Sequence, residues 1–421
     1  MNILLRKVTI ADPVSAHNSS VKDIFISNGI IQKIADNIDD SADQVVDGQN
    51  TTVSPGWVDI FAHFADPGYE FKETLESGAN TAAAGGFTRV FVLPNTNPVV
   101  QNKTQVEYIV QKSSSLPVYI QPLGSITKNG EGKELAEMYD MQASGAAAFS
   151  DGTNPVQSAG LLVKALQYVK AFNGVVVQVP MDKSIGQYGL INEGVVSTRL
   201  GLPGIPAMAE EIIIERDLKL AQYANSSIHF TGVSTAKSLE YIREAKEAGI
   251  QVTCSVTPYH LYFNDEDLAS YDTNLKVTPP IRNKEDVEAL KEGVRSGLVD
   301  CIASHHLPQD WDNKVCEFEY AKAGMLGLQT AYAVVQSVLP DLSANKIAAL
   351  FSSNARSIFH LSAASIEEGS QAELTLFKAS GTTTLAKETN KSKSSNSPFF
   401  DKSLKGEVVG IINKGNIFIN K

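Results

Sequence analysis

Residues 55–63 read Pro-Gly-Trp-Val-Asp-Ile-Phe-Ala-His. A Pro-Gly opening followed by a short apolar run is the pattern of a strand buried on both faces. Side chains along a strand alternate, so Phe61 and His63 at its end point the same way. Imidazoles at both positions would reach one metal ion. His63 has a lone pair to offer, and Phe61 has none.

Similar apolar, β-rich runs recur at 88–94, 118–126, 146–150, 175–179, 227–233, 251–256 and 299–303, with helical or loop stretches between them. With 56–63 they make eight strand candidates, most of them continuous rather than alternating, as in parallel sheets covered on both faces. Eight such units within residues 53–365 match an α/β fold, the (β/α)₈ barrel, whose active sites lie at the C-terminal strand ends. Short β patterns flank this region at 2–10, 23–27, 30–34 and 44–47, and again at 372–378, 406–412 and 416–419. Asn28-Gly29 is a hairpin signal. Residues 1–52 and 366–421 are therefore expected to pair into one small β-sandwich beside the barrel. The stretch 380–403, rich in Ser, Thr, Asn and Lys, reads as a mobile loop.

The chain has 421 residues, is 43% hydrophobic and 20% charged, and carries a formal net charge of −11. That balance argues against a nucleic-acid-binding surface. The N-terminus lacks a signal-peptide core, and no apolar run approaches the ~20 residues a membrane helix needs. A cytoplasmic location without membrane attachment is expected. Cys254, Cys301 and Cys316 form no close pair such as C-x-x-C and read as reduced thiols.

The run PGWVDIFAHFADPGYEFKETLESGANTAAAGGFTRVFVLPNTNPV (55–99) resembles the signature segment of dihydroorotases in the amidohydrolase superfamily. AFSDG (148–152), GVST (232–235), VTPYHL (256–261), KVTPPIR (276–282), DCIASHHLP (300–308), GMLGLQTA (324–331) and EEGSQAELTLF (367–377) agree, in order, along essentially the whole chain. The resemblance implies a metal-dependent hydrolase barrel flanked by a small β-sandwich, acting on the cyclic amide dihydroorotate in pyrimidine synthesis.

The residues the resemblance assigns to chemistry are mostly replaced. Phe61 and His63 stand at the His-x-His pair, and Ala65 stands where an Arg grips the substrate carboxylate. Asp151 corresponds to a metal-bridging carboxylate. The fifth-strand His falls on Gln178 or Val179, according to register. The sixth-strand His is Gly232, with His229 on the wrong side of the strand unless the register slips by an odd step. His305 takes the place of the Asp that serves as ligand and general base. Thr278 replaces a substrate-side Asn, and Gln309 a substrate-side His. Asn95 and the backbone near Gly327 remain as substrate contacts.

A catalytic zinc needs about three protein ligands. The expected protein is therefore a catalytically inactive relative without a cofactor, in a structural or regulatory role. The resemblance implies aspartate carbamoyltransferase as a partner, and a homo-oligomer, a dimer, is expected. The alternative is an active cyclic-amide hydrolase with one zinc or other divalent transition metal on His63, Asp151 and His305. A third reading is a small-molecule binding protein using the pocket around Asn95. His260 and His306 read as supporting residues. Glu210-Glu211 reads as favourable charge at a helix N-terminus. Lys276 and Arg282 read as shaping the barrel mouth or as solvated loop residues.

Overall fold

The computed structural model describes residues 1–420. All eight expected barrel strands are present, at Trp57–Ala62, Phe87–Val92, Tyr119–Gly124, Ala148–Phe149, Val176–Gln178, Ile228–Thr231, Val252–Val256 and Cys301–Ile302. They pair in chain order, all parallel, in one eight-stranded sheet. Its ends meet where Ala62 bridges His306 and the His63 N–H donates to the His306 carbonyl at 2.8 Å.

Asp59 strengthens that closure. Its buried carboxylate accepts the Ser304 N–H at 2.6 Å and the Ser304 hydroxyl at 2.9 Å. Burial pushes the Asp59 carboxyl up to about 6, with the Ser304 hydrogen bonds working the other way. The lumen is filled by Val58, Ile60, Phe61, Phe91, Leu93, Leu123, Val175, Val177, Val179, Cys301 and Ala303. The barrel's helices pack on the outer side of the strands around a separate, larger core.

Both termini build the second unit, a single eight-stranded sheet that branches at Asn2–Ile10. Asn28 and Gly29 take φ of 51° and 78° between Val21–Ser27 and Ile30–Ala35, the left-handed pair a two-residue hairpin needs. Thr52–Pro55 still pairs in this sheet, so it reaches slightly beyond the expected boundary at residue 52.

The segment expected to be a mobile loop is ordered differently. Leu374–Thr384 is strand, and the residues after it lie along the barrel mouth. Ser392 donates to Glu73, Ser394 Oγ to the Lys72 carbonyl at 2.7 Å, and Asn396 Nδ2 to the Leu307 carbonyl at 3.0 Å. Composition made this stretch look like a loop. Its small polar side chains instead satisfy the backbone of the mouth, and Ser392, Ser394, Asn396 and Ser397 are buried. No helix among the described residues is long and apolar enough to cross a membrane.

Glu373 joins sheet to barrel. Its carboxylate pairs with Arg356 and, at 3.3 Å, with Arg89, and it accepts the Thr88 hydroxyl at 2.8 Å. Burial alone would raise this carboxyl, but the two guanidinium groups hold it below the usual value. Glu373→Ala strands two cations in a dry seam, so urea denaturation should find it about 3–5 kcal/mol less stable. A loss under about 1 kcal/mol would contradict this role. Because the folded carboxyl is the more acidic, its contribution is complete above the unfolded pKa and is lost on acidification through the folded one.

Candidate site at the barrel mouth

A cavity of about 310 Å³ opens at the C-terminal strand ends, lined by Phe61, His63, Asn95, Val179, Thr278, His305 and Gln309 among others. Phe61 and His63 share the inward face of the first strand, as alternation requires. The Phe61 ring stacks on the His305 imidazole, with centroids 4.3 Å apart and planes at 28°. Gly232 faces the same ring. A Cβ at this residue, whose φ is +73°, would come within 2.6 Å of His305 Cε1. A side chain at 232 and this placement of His305 exclude each other.

The fifth-strand register places Val179 in the lumen and on the cavity wall, while Gln178 points outward, donating from Nε2 to Asp217 at 3.2 Å. His229 does not lie on the wrong side of its strand, as the sequence suggested. It shares the inner face with Thr231, and Phe230 lies on the outer face. Its ring sits deeper than the mouth, between Thr253 Oγ1 at 2.8 Å and Ser255 Oγ at 3.0 Å.

These groups form one chain. Ser255 Oγ donates to Thr231 Oγ1 at 2.9 Å, and Thr231 Oγ1 meets His305 Nε2 at 2.8 Å. A hydroxyl has one proton to donate. Thr231 Oγ1 accepts from Ser255 and, among the described residues, has no acceptor but His305 Nε2 for its own proton, so it donates there, and neutral His305 carries its proton on Nδ1. By the same reasoning Ser255 accepts from His229 Nε2–H, and Thr253 donates to His229 Nδ1. Burial, reinforced by neighbouring histidines, pushes the His305 pKa down to about 3. Burial and then Lys246 push His229 to about 3. In this arrangement His305 has no free lone pair to take a proton or hold a metal.

His63 Nε2 lies 3.0 Å from the Asn95 carbonyl and donates to it, leaving Nδ1 as its acceptor. Burial holds this imidazole down at about 4. Asp151 does not line the cavity. One carboxylate oxygen accepts the Ser125 hydroxyl at 2.8 Å and the Thr127 N–H at 2.9 Å, and the other accepts the Thr127 hydroxyl at 2.6 Å. Burial raises the Asp151 carboxyl, with those bonds opposing it. Among the described residues no three His, Cys, Asp or Glu side chains assemble into a group that could hold a metal ion. His63 and His305 share the cavity, Asp151 is turned away, and these donors do not fit a catalytic zinc.

Asn95 lines the cavity, but its amide is committed to the loop after strand four. Nδ2 donates to the Asp151 carbonyl at 3.0 Å, and Oδ1 accepts from the Thr153 N–H at 3.1 Å. The Gly327 N–H donates to His306 Nδ1 at 3.2 Å, while His306 Nε2 lies 3.3 Å from buried Glu73. His260 sits between Thr257 Oγ1 and the Pro279 and Pro280 carbonyls. Both histidines therefore support loops. Ala65 is buried with φ of 57° and offers no cation.

The solvated alternative falls for Arg282, which is fully buried and bonded to Ser234, Asn192 and Glu210. Glu210 lies in the first turn of its helix, as expected, and from there also accepts the Ser234 and Thr235 N–H groups in the same buried network. Lys276 donates to the Phe318 and Glu319 carbonyls, both at 2.8 Å. The residue that sequence reasoning missed is Lys72, which reaches the cavity from the loop after strand one. Its position within the 55–99 run was the only signal.

Nitrogen-15 spectra of histidine-labelled protein should show His305 neutral with its proton on Nδ1, and His63 neutral with its proton on Nε2, throughout pH 5–8 (an interval below the ordinary ~6.5 value at its lower end). A midpoint above about 6 for either ring would refute the assignment. Both rings bind protons more weakly when folded, so each contributes stability above the unfolded pKa and loses it as pH falls below ~6.5.

A Dihydro-orotase-like family profile matches residues 51–238. Over its whole length the chain resembles proteins named dihydroorotase. It is 36% identical to that of Syntrophus aciditrophicus strain SB, covering 99% of each chain, and 38% identical to that of Aquifex aeolicus strain VF5, also covering 99% of each. Among solved structures it matches an L-hydantoinase (dihydropyrimidinase) from Arthrobacter aurescens with a TM-score of 0.87 at 22% identity, covering 100% of this chain and 96% of that one. A dihydropyrimidinase from Brevibacillus agri matches with a TM-score of 0.84 at 18% identity, over 100% and 95%. The solved structures carry the likeness of fold, and the end-to-end sequence matches carry the kinship: this chain belongs to the dihydroorotase family.

Proposed function

We propose that this chain is a dihydroorotase-family protein of pyrimidine biosynthesis that has given up hydrolysis for a structural or regulatory role. One observation carries this reading. His63 Nε2, the Asp151 carboxylate and His305 Nε2 are each committed to protein partners. Phe61, Val179 and Gly232, meanwhile, offer no ligand at the strand ends. A zinc-activated water needs about three protein donors facing one point. Freeing His305 alone means reversing or breaking a buried hydrogen-bond chain, at about 1–3 kcal/mol for each group left unsatisfied. Aspartate carbamoyltransferase is the partner proposed for the retained fold, a proposal that rests on family kinship.

A second reading has its own support. Relatives 36–38% identical over nearly the whole chain bear the name dihydroorotase. Under that reading the chain hydrolyses dihydroorotate to carbamoyl aspartate on a single metal, after His63, Asp151 and His305 reorganise.

Purified protein, never exposed to chelator, separates the two. The first reading expects far less than one transition metal per chain and no interconversion of dihydroorotate and carbamoyl aspartate above background. About one bound metal, with turnover abolished by His63→Ala, would establish the second. Co-elution with the same organism's aspartate carbamoyltransferase tests the partner, and its absence across a range of salt would reject it.

A further inference from the structure

The mouth cavity has one charged side chain in its lining, Lys72, and no carboxylate. Lys72 is half-buried, and its Nζ donates to Gln309 Oε1 at 3.0 Å. Asp310 and Lys322 act on it from further off with opposite sign, and among the described residues no carboxylate pairs with it. An ammonium has three donors, so an amide oxygen leaves both the charge and part of the donor capacity unanswered. Around it the wall is neutral. Phe61, Tyr69, Val179 and Leu307 supply apolar surface, and Thr153 and Thr278 supply hydroxyls. The imidazoles add an unshared Nδ1 lone pair on His63 and an unshared Nδ1–H on His305.

The geometry points to a metal-free binding site for a small, flat monocarboxylate, its carboxylate paired with Lys72 and its body laid against Phe61. A single cation compensates a single negative charge. A dianion such as phosphate would leave its second charge among neutral rings, where burial without a partner is costly. An uncharged ligand would leave the desolvated ammonium as it is. Ala65 supplies no cation, so the anchor lies on the neighbouring loop. Lys72 itself is held there by the C-terminal segment, whose Ser394 hydroxyl donates to the Lys72 carbonyl at 2.7 Å. This inference rests on the proposed mouth without a metal, because a bound metal ion would compete with Lys72 for the anion.

Calorimetric titration of the full chain with benzoate, benzamide and inorganic phosphate, with and without EDTA, tests it. Benzoate should bind in the millimolar range or tighter, and benzamide and phosphate about tenfold more weakly or not at all. Lys72→Met should weaken benzoate about tenfold or more, while Lys72→Arg keeps it within about threefold. The Lys72 side chain makes one hydrogen bond, so unchanged melting temperatures would confirm that both variants fold. No benzoate binding up to about 50 mM, or binding indifferent to Lys72→Met in the presence of EDTA, overturns the Lys72 site. Binding abolished by EDTA and restored by zinc overturns the metal-free mouth as well, so the two failures are told apart.

Discussion

A buried polar group must find a partner, and at this barrel's mouth the partners come from the chain itself. The run Thr253–His229–Ser255–Thr231–His305 threads two imidazoles and three hydroxyls through the lumen at 2.8–3.0 Å per step. Its direction follows from one proton per hydroxyl and from His305 Nε2 being the acceptor within reach of the Thr231 proton. That direction assigns the tautomer of His305 and turns a position that could serve as base or ligand into a hydrogen-bonded packing group. The neutral state of both rings follows from the same burial.

Residues that look independent in sequence are coupled in space at the mouth. Phe61 stacks on His305, and Gly232 leaves the room that His305 occupies. A ring from strand eight therefore fills space that a side chain at the end of strand six would claim. Val179 continues the apolar wall beside them. With the rings packed in this way, a side chain at 232 would meet His305 before it reached the cavity.

The rigid part of the architecture lies around this mouth rather than in it. Asp59 and His306 close the first strand against the eighth. Glu373 binds the terminal sheet to the barrel through Arg356 and Arg89. The segment after Thr384 brings Ser392, Ser394 and Asn396 onto the mouth loops.

The eight strands, the terminal sheet and the hairpin at Asn28-Gly29 were legible because they rest on local rules: continuous apolar runs, alternation and a positive-φ turn pair. Sequence also named the residues at the strand ends, since each follows a recognisable run. It misjudged residues whose role depends on distant partners. His229 faces inward because the strand bends its alternation at Gly232, and Arg282 is buried because Glu210 and Asn192 come to it from elsewhere in the chain. The 380–403 stretch was read as mobile, because small polar residues carry no record of the backbone they will satisfy. By itself, the sequence determined the barrel, its flanking sheet and a side chain without a lone pair at Phe61. Only the tertiary structure decided that Asp151 turns away, that His305 has no free lone pair and that Lys72 stands as the lone cation of the cavity. Side-chain direction and proton position depend on contacts between residues far apart in the chain, and local periodicity does not encode them.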